Sequence, residues 1–175
     1  MKNLEIDDRR DKEDKLASLY EEYYDKIAHY IYVRIGDKTE AEDLAGDVFL
    51  KALDSLRSYS ERGIPMQAWL FRIAHNLVVD RLRKRGKMKA VPLDTVVIEG
   101  GTDPVTEAER KIEVERVSEA MQKLTPEQRE VVRLRFFSGL SSREVGDILK
   151  KREGAVREMQ RAAVEKLRGL LVTDH

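Results

Sequence analysis

The sequence predicts an all-α protein built as two small helical domains joined by a flexible linker, the second containing a helix-turn-helix. Three observations lead there. Apolar residues recur at intervals of three and four through nearly the whole chain, and no alternating strand pattern competes with them. One stretch, GKMKAVPLDTVVIEGGT at residues 86–102, breaks the pattern and holds three of the ten glycines together with a proline. With 41% hydrophobic and 38% charged residues, 175 residues can fill two small cores more readily than one sandwich or barrel.

Residues 1–15, rich in charge, read as an N-terminal tail, and residues 16–85 as the first domain. From 16 to 34, Leu16, Leu19, Tyr20, Tyr23, Ile27, Tyr30 and Ile31 form one helix face, and Gly36 stands where a C-terminal cap belongs. Thr39 with Glu42 reads as a capping box for a second helix that buries Leu44, Ala45, Val48, Phe49, Ala52, Leu53 and Leu56. A third, from about Gln67 to Arg85, buries Trp69, Leu70, Ile73, Ala74, Leu77, Val78 and Leu82. The linker 86–102 follows. Residues 103–175 form the second domain, opened by Asp103 and Pro104, with Val105, Ala108, Ile112, Val117, Ala120, Met121 and Leu124 as its first buried stripe. Thr125, Pro126 and Gln128 cap a helix burying Val131, Val132, Leu134, Phe136 and Phe137, which Gly139 ends. Ser141 with Glu144 opens a short helix to Leu149, and a last helix from about Glu153 carries Val156, Met159, Ala163, Leu167 and Leu170.

Net charge is zero, but the charges are segregated. Residues 59–90 hold eight Lys or Arg against two Asp or Glu, and residues 131–175 hold ten against six. Residues 1–58 and 91–130 are acidic to the same total. Two separate anion-binding surfaces are implied, as two contacts with nucleic acid require.

The last two helices, with the three residues between them, have the spacing of a helix-turn-helix, whose second helix enters the major groove. Arg157 and Arg161 lie four apart opposite the apolar stripe, and Lys150, Lys151 and Arg152 crowd the turn. A plain helical hairpin with a solvated basic face has the same spacing.

The stretch LTPEQREVVRLRFFSGLSSREVGDILKKREGAVREMQRAAVEKLR resembles the C-terminal promoter-binding domain of extracytoplasmic-function bacterial sigma factors. TEAEDLAGDVFLKAL followed by AWLFRIAHNLVVDRLRKR resembles their N-terminal domain, and the two occur in the family's order. The resemblance implies that the first domain binds core RNA polymerase and the melted minus-ten element. The second is implied to bind the minus-thirty-five element as duplex promoter DNA, and an anti-sigma factor is implied as a further partner.

Residues can be assigned to those roles. Asp43, Asp47, Leu50 and Asp54 share one stripe opposite the buried row, suited to a protein partner and, by resemblance, to polymerase; a solvated acidic face is the plainer reading. For the minus-ten strand the candidates are Tyr59, Arg62, Trp69, Arg72, Asn76, Arg83, Lys84 and Arg85, cations for phosphate beside a loop, although Trp69 also has helical core spacing. Asp80 is expected to pair with a neighbouring Arg. For the minus-thirty-five element they are Lys150, Arg152, Glu153, Gly154, Ala155, Arg157, Glu158 and Arg161. Here the chain departs from the family: Lys150 stands at a turn position that favours Gly, Arg152 replaces an N-cap hydroxyl, and Ala155 replaces a hydroxyl residue and so removes one hydrogen-bond donor.

Other classes are excluded or disfavoured. With no cysteine there is no disulfide, thiolate metal site or cysteine nucleophile, and the three histidines are far apart in sequence. No glycine-rich phosphate loop or nucleophile signature appears, so neither an enzyme nor a cofactor is expected. A helix-turn-helix repressor acting without polymerase is the rival reading. The start MKNLEIDDRRDKEDK lacks the apolar core of a signal peptide and no membrane span is found, so a cytoplasmic protein is expected.

Overall fold

The computed structural model describes residues 2–60, 63–86 and 103–172. Their regular structure is helical throughout: α1 (Lys2–Ile35), α2 (Lys38–Asp54), α3 (Met66–Lys84), α4 (Pro104–Gln122), α5 (Pro126–Val132), α6 (Ser142–Leu149) and α7 (Glu153–Val172). A 3₁₀ turn occupies Leu56–Ser58 and a π turn Arg133–Phe137. The chain divides between Val91 and Pro92 into two compact units, and most of the linker assigned from sequence lies outside the described residues. Among the described residues no helix is long and apolar enough to cross a membrane.

The first unit is a three-helix bundle in which α1, α2 and α3 each pack against the other two. Ile27, Ile31, Ala45, Val48, Leu70, Phe71, Ala74 and Val78 are buried completely. Tyr23 and Tyr30 set their rings edge-on to Phe71 at 6.2 and 5.8 Å, a favoured aromatic geometry. Gly36 ends α1 at φ +83°, its N–H donating to the Tyr32 carbonyl at 2.8 Å.

Three expectations are corrected here. The segment set apart as a tail continues α1 back to Lys2. It has no Gly or Pro to stop it, and the pairs Asp8–Lys12 at 3.2 Å and Arg9–Glu13 at 2.9 Å support it four residues apart. The cap of α2 is Asp37, which accepts the Glu40 N–H at 2.9 Å, so Thr39 falls inside the helix. Leu53 is 49% exposed and Tyr20 is also largely on the surface, where its ring meets Phe49 at 4.9 Å.

In the second unit Asp103 caps α4, and the boxes Thr125–Gln128 and Ser141–Glu144 are both closed reciprocally. Met121, Leu124, Val132 and Ala163 form a core, with Val117 and Leu167 packed against it. The first half of the α4 stripe is not part of it: Val105, Ala108 and Ile112 are exposed. Helical spacing shows which residues share a face, not whether another element covers that face. Phe136 and Phe137 are exposed as well, because the π turn delays the helical phase after Leu134. The Ser138 N–H reaches back five residues to the Arg133 carbonyl at 2.9 Å.

Candidate functional site

On α2, Asp43, Asp47, Leu50 and Asp54 are all exposed and share the face turned away from the bundle, with Leu50 at 61%. Leu53, one helical turn from Leu50, adds a second apolar side chain to that face. Gly46 has open space where a side chain would stand, so packing does not require a glycine there.

The loop before α3 is built on an aromatic pair. Tyr59 and Trp69, named from sequence as strand contacts, are instead buried at 5% and 7%, their rings 4.9 Å apart, and the Tyr59 hydroxyl donates to the Ile64 carbonyl at 3.0 Å. Both hold the loop from beneath. Arg62 lies outside the described residues. Asn76, Arg83 and Lys84 are exposed, whereas Arg72 and Arg85 are half-buried. Asp80 receives Arg83 at 2.9 Å and Lys84 at 3.2 Å, and these hydrogen bonds hold its carboxyl below the usual aspartate range. Arg85 pairs with Glu40 of α2, which Arg81 also approaches at 3.5 Å. The end of α3 is thus tied back to α2, a link that no sequence spacing revealed. His75 faces the Tyr30 hydroxyl at 3.1 Å and Arg34 at 3.4 Å through Nδ1, so the bundle itself uses it.

In the second unit, α6 and α7 enclose a turn in which Lys150 is left-handed, at φ +57° and ψ +46°. Arg152, Glu153, Gly154, Ala155, Arg157, Glu158 and Arg161 are all exposed along one end of α7. The arginines are not free charges. Arg157 binds Glu153 at 2.7 Å, and Arg161 binds Glu158 as well as Glu165, the latter at 3.0 Å. Hydrogen bonding to Arg161 lowers the Glu158 carboxyl below its ordinary range. A groove beside this face is lined by Arg135, Ser141, Ser142, Arg157, Gln160 and Arg161, with Arg135 donating to Gln160 at 2.9 Å and to the Leu140 carbonyl. Arg135, Gln160 and Ser142 were not singled out from sequence, since the π turn that brings Arg135 there has no clear sequence signature.

A family model described as Sigma-70 region 2 matches residues 19–88, and one described as Sigma-70, region 4 matches residues 120–169. The ECF RNA polymerase sigma factor SigD of Mycobacterium tuberculosis is 32% identical over 152 residues, which cover 83% of this chain and 72% of that relative. This chain belongs to the ECF RNA polymerase sigma factors.

The sigma factor is also 35% identical to BldN of Streptomyces coelicolor over 165 residues, 92% of its own length but only 62% of BldN. Against SigW of Bacillus subtilis the identity is 29% over 170 residues, 91% of this chain and 90% of the relative. Two solved structures share the fold at 23% identity. One is sigma factor RpoE in complex with the anti-sigma factor NepR from Bartonella quintana, at TM-score 0.69 over 92% of this chain and 99% of that one. The other is CnrH in complex with the cytosolic domain of CnrY, at TM-score 0.67 over 98% and 97%. The region 2 match spans the α2 stripe and α3, and the region 4 match spans α5, α6 and most of α7.

Proposed function

We propose that this sigma factor docks on core RNA polymerase through Asp43, Asp47, Leu50 and Asp54 and directs initiation by reading two promoter elements. The exposed end of α3, with Asn76, Arg83 and Lys84, meets the melted minus-ten strand. The α6–α7 pair meets the minus-thirty-five element as duplex. It acts by binding, without catalysis of its own, in the cytoplasm where the polymerase works. RpoE and CnrH were each solved with a bound protein, and an anti-sigma partner is proposed for this chain by analogy.

The observation that carries the reading is the surface of the turn and of the start of α7, where eight candidate contacts from Lys150 to Arg161, two in the turn and six on the helix, all stand in solvent. Because its arginines are already paired with neighbouring glutamates, the free chain should bind duplex weakly. Nanomolar, sequence-specific duplex binding by the free chain at physiological salt would overturn this and favour a repressor that needs no polymerase.

A further inference from the structure

Lys150 is the only non-glycine residue of positive φ among the described residues. The left-handed region disfavours a side-chain-bearing residue by roughly five- to thirtyfold in population. The turn has no room to relax that strain. The N–H groups of Lys150 and Lys151 both donate to the Gly146 carbonyl, the second at 2.9 Å, and the Lys151 carbonyl lies 2.6 Å from where a β-carbon on Gly146 would stand. A strained residue locked by its surroundings, whose side chain makes no contact of its own among the described residues, points to use by a partner.

The distribution of charge around the turn indicates which partner. Arg157 is held by Glu153, Arg161 by Glu158 and Glu165, and Lys151 by Glu127 at 3.2 Å. Along the part of α7 nearest the turn, from Glu153 to Glu165, two arginines face three carboxylates, so this part of the helix brings no net positive charge to an approaching phosphate; Lys166 and Arg168 lie farther along. Lys150 and Arg152 are exposed and have no ion-pair partner among the described residues. They can meet a phosphate without first breaking a pair and without leaving a carboxylate facing DNA.

We infer that Lys150, with Arg152 beside it, makes the phosphate contact by which this helix-turn-helix first engages duplex DNA, and that a lysine is kept at this left-handed turn position, where glycine would be unstrained, for that contact. This rests on the promoter-binding reading of α6 and α7 given above. Arg157 and Arg161 then act later, once base contacts compensate for releasing their glutamates.

A phosphate contact carries no sequence information, so the probe is a labelled 20-base-pair duplex of random sequence, titrated with the full chain across salt, alongside thermal melts. Lys150→Gly relieves the strain and removes the cation. The melting temperature should rise by several degrees while duplex affinity falls and the slope of log K against log salt shrinks by roughly 0.9. Lys150→Arg should keep the wild-type slope and melt as the wild type does. Lys166→Gln, on α7 half a turn out of phase with Arg157, should leave the slope unchanged. A Lys150→Gly chain that binds with unchanged slope overturns the phosphate contact, and one that melts no higher overturns the strain. If the wild-type chain fails to contact promoter duplex even with core polymerase, the promoter reading falls first; if it initiates transcription while Lys150→Gly keeps its slope, only this inference falls.

Discussion

The same substitution, glycine to alanine, should have opposite effects at two helical positions of this sigma factor. At Gly46, inside α2, a new β-carbon meets nothing within 4 Å, so alanine adds no contact and removes a flexible residue from a helix. The gain is about 0.5–1 kcal/mol. At Gly146, inside α6, the added carbon would lie 2.6 Å from the Lys151 carbonyl oxygen, closer than real β-carbons come, and that oxygen is backbone. Moving it disturbs the turn that two N–H groups hold on the Gly146 carbonyl, a strain of about 1–3 kcal/mol that outweighs the same helical gain. Calorimetry of the full chain resolves the two effects, because each substitution moves the transition of its own unit. Gly46→Ala should raise melting of the first unit by about 2–8 °C, and Gly146→Ala should lower that of the second by a similar or larger amount. A rise at both positions would refute the close approach between α6 and the turn, and with it the locked geometry of Lys150.

Other outcomes follow from the surfaces. Asp47→Arg and Leu50→Arg should abolish association with core polymerase in a pull-down while circular dichroism stays that of the wild type; a large loss of stability would show Leu50 to be core. Arg157→Ala and Arg161→Ala should each weaken minus-thirty-five binding by the holoenzyme and lower its salt slope by roughly one per lost phosphate contact, with core binding intact. Asp80 has a folded pKa below its unfolded value, so its contribution is present above the ordinary aspartate range and is lost as pH falls through the lowered value. Asp80→Asn should therefore flatten the acid limb of the stability profile measured by denaturant titration at successive pH values.

Much of the architecture was legible because capping and periodicity are local. Asp103, Thr125 with Gln128, and Ser141 with Glu144 open helices where their chemistry says they should, and the left-handed position of Lys150 is where the family resemblance places a glycine. What was not legible depends on contacts far apart in sequence. Tyr59 and Trp69 carry aromatic rings next to a basic face, which suits base stacking, yet the bundle has more use for them as the floor of the loop. Val105, Ala108 and Ile112 share a helix face that spacing marks as buried and that no neighbour among the described residues covers. Phe136 and Phe137 were misplaced, and Arg135 missed, for another reason: one π turn changes the period from 3.6, and the residues after it point elsewhere. Pairing within α7 was open to sequence, since Glu153 and Arg157 are four apart, and it changes how the basic face should be understood.

The central claim is that this chain confers promoter-specific initiation on core RNA polymerase, and reconstituted transcription from a genomic fragment library tests it most directly. Core enzyme with the wild-type chain should start transcripts at a small set of sites that share two spaced elements, and core enzyme with the Leu50→Arg chain should start none of them. Transcript ends no different from those of core enzyme alone would contradict the account.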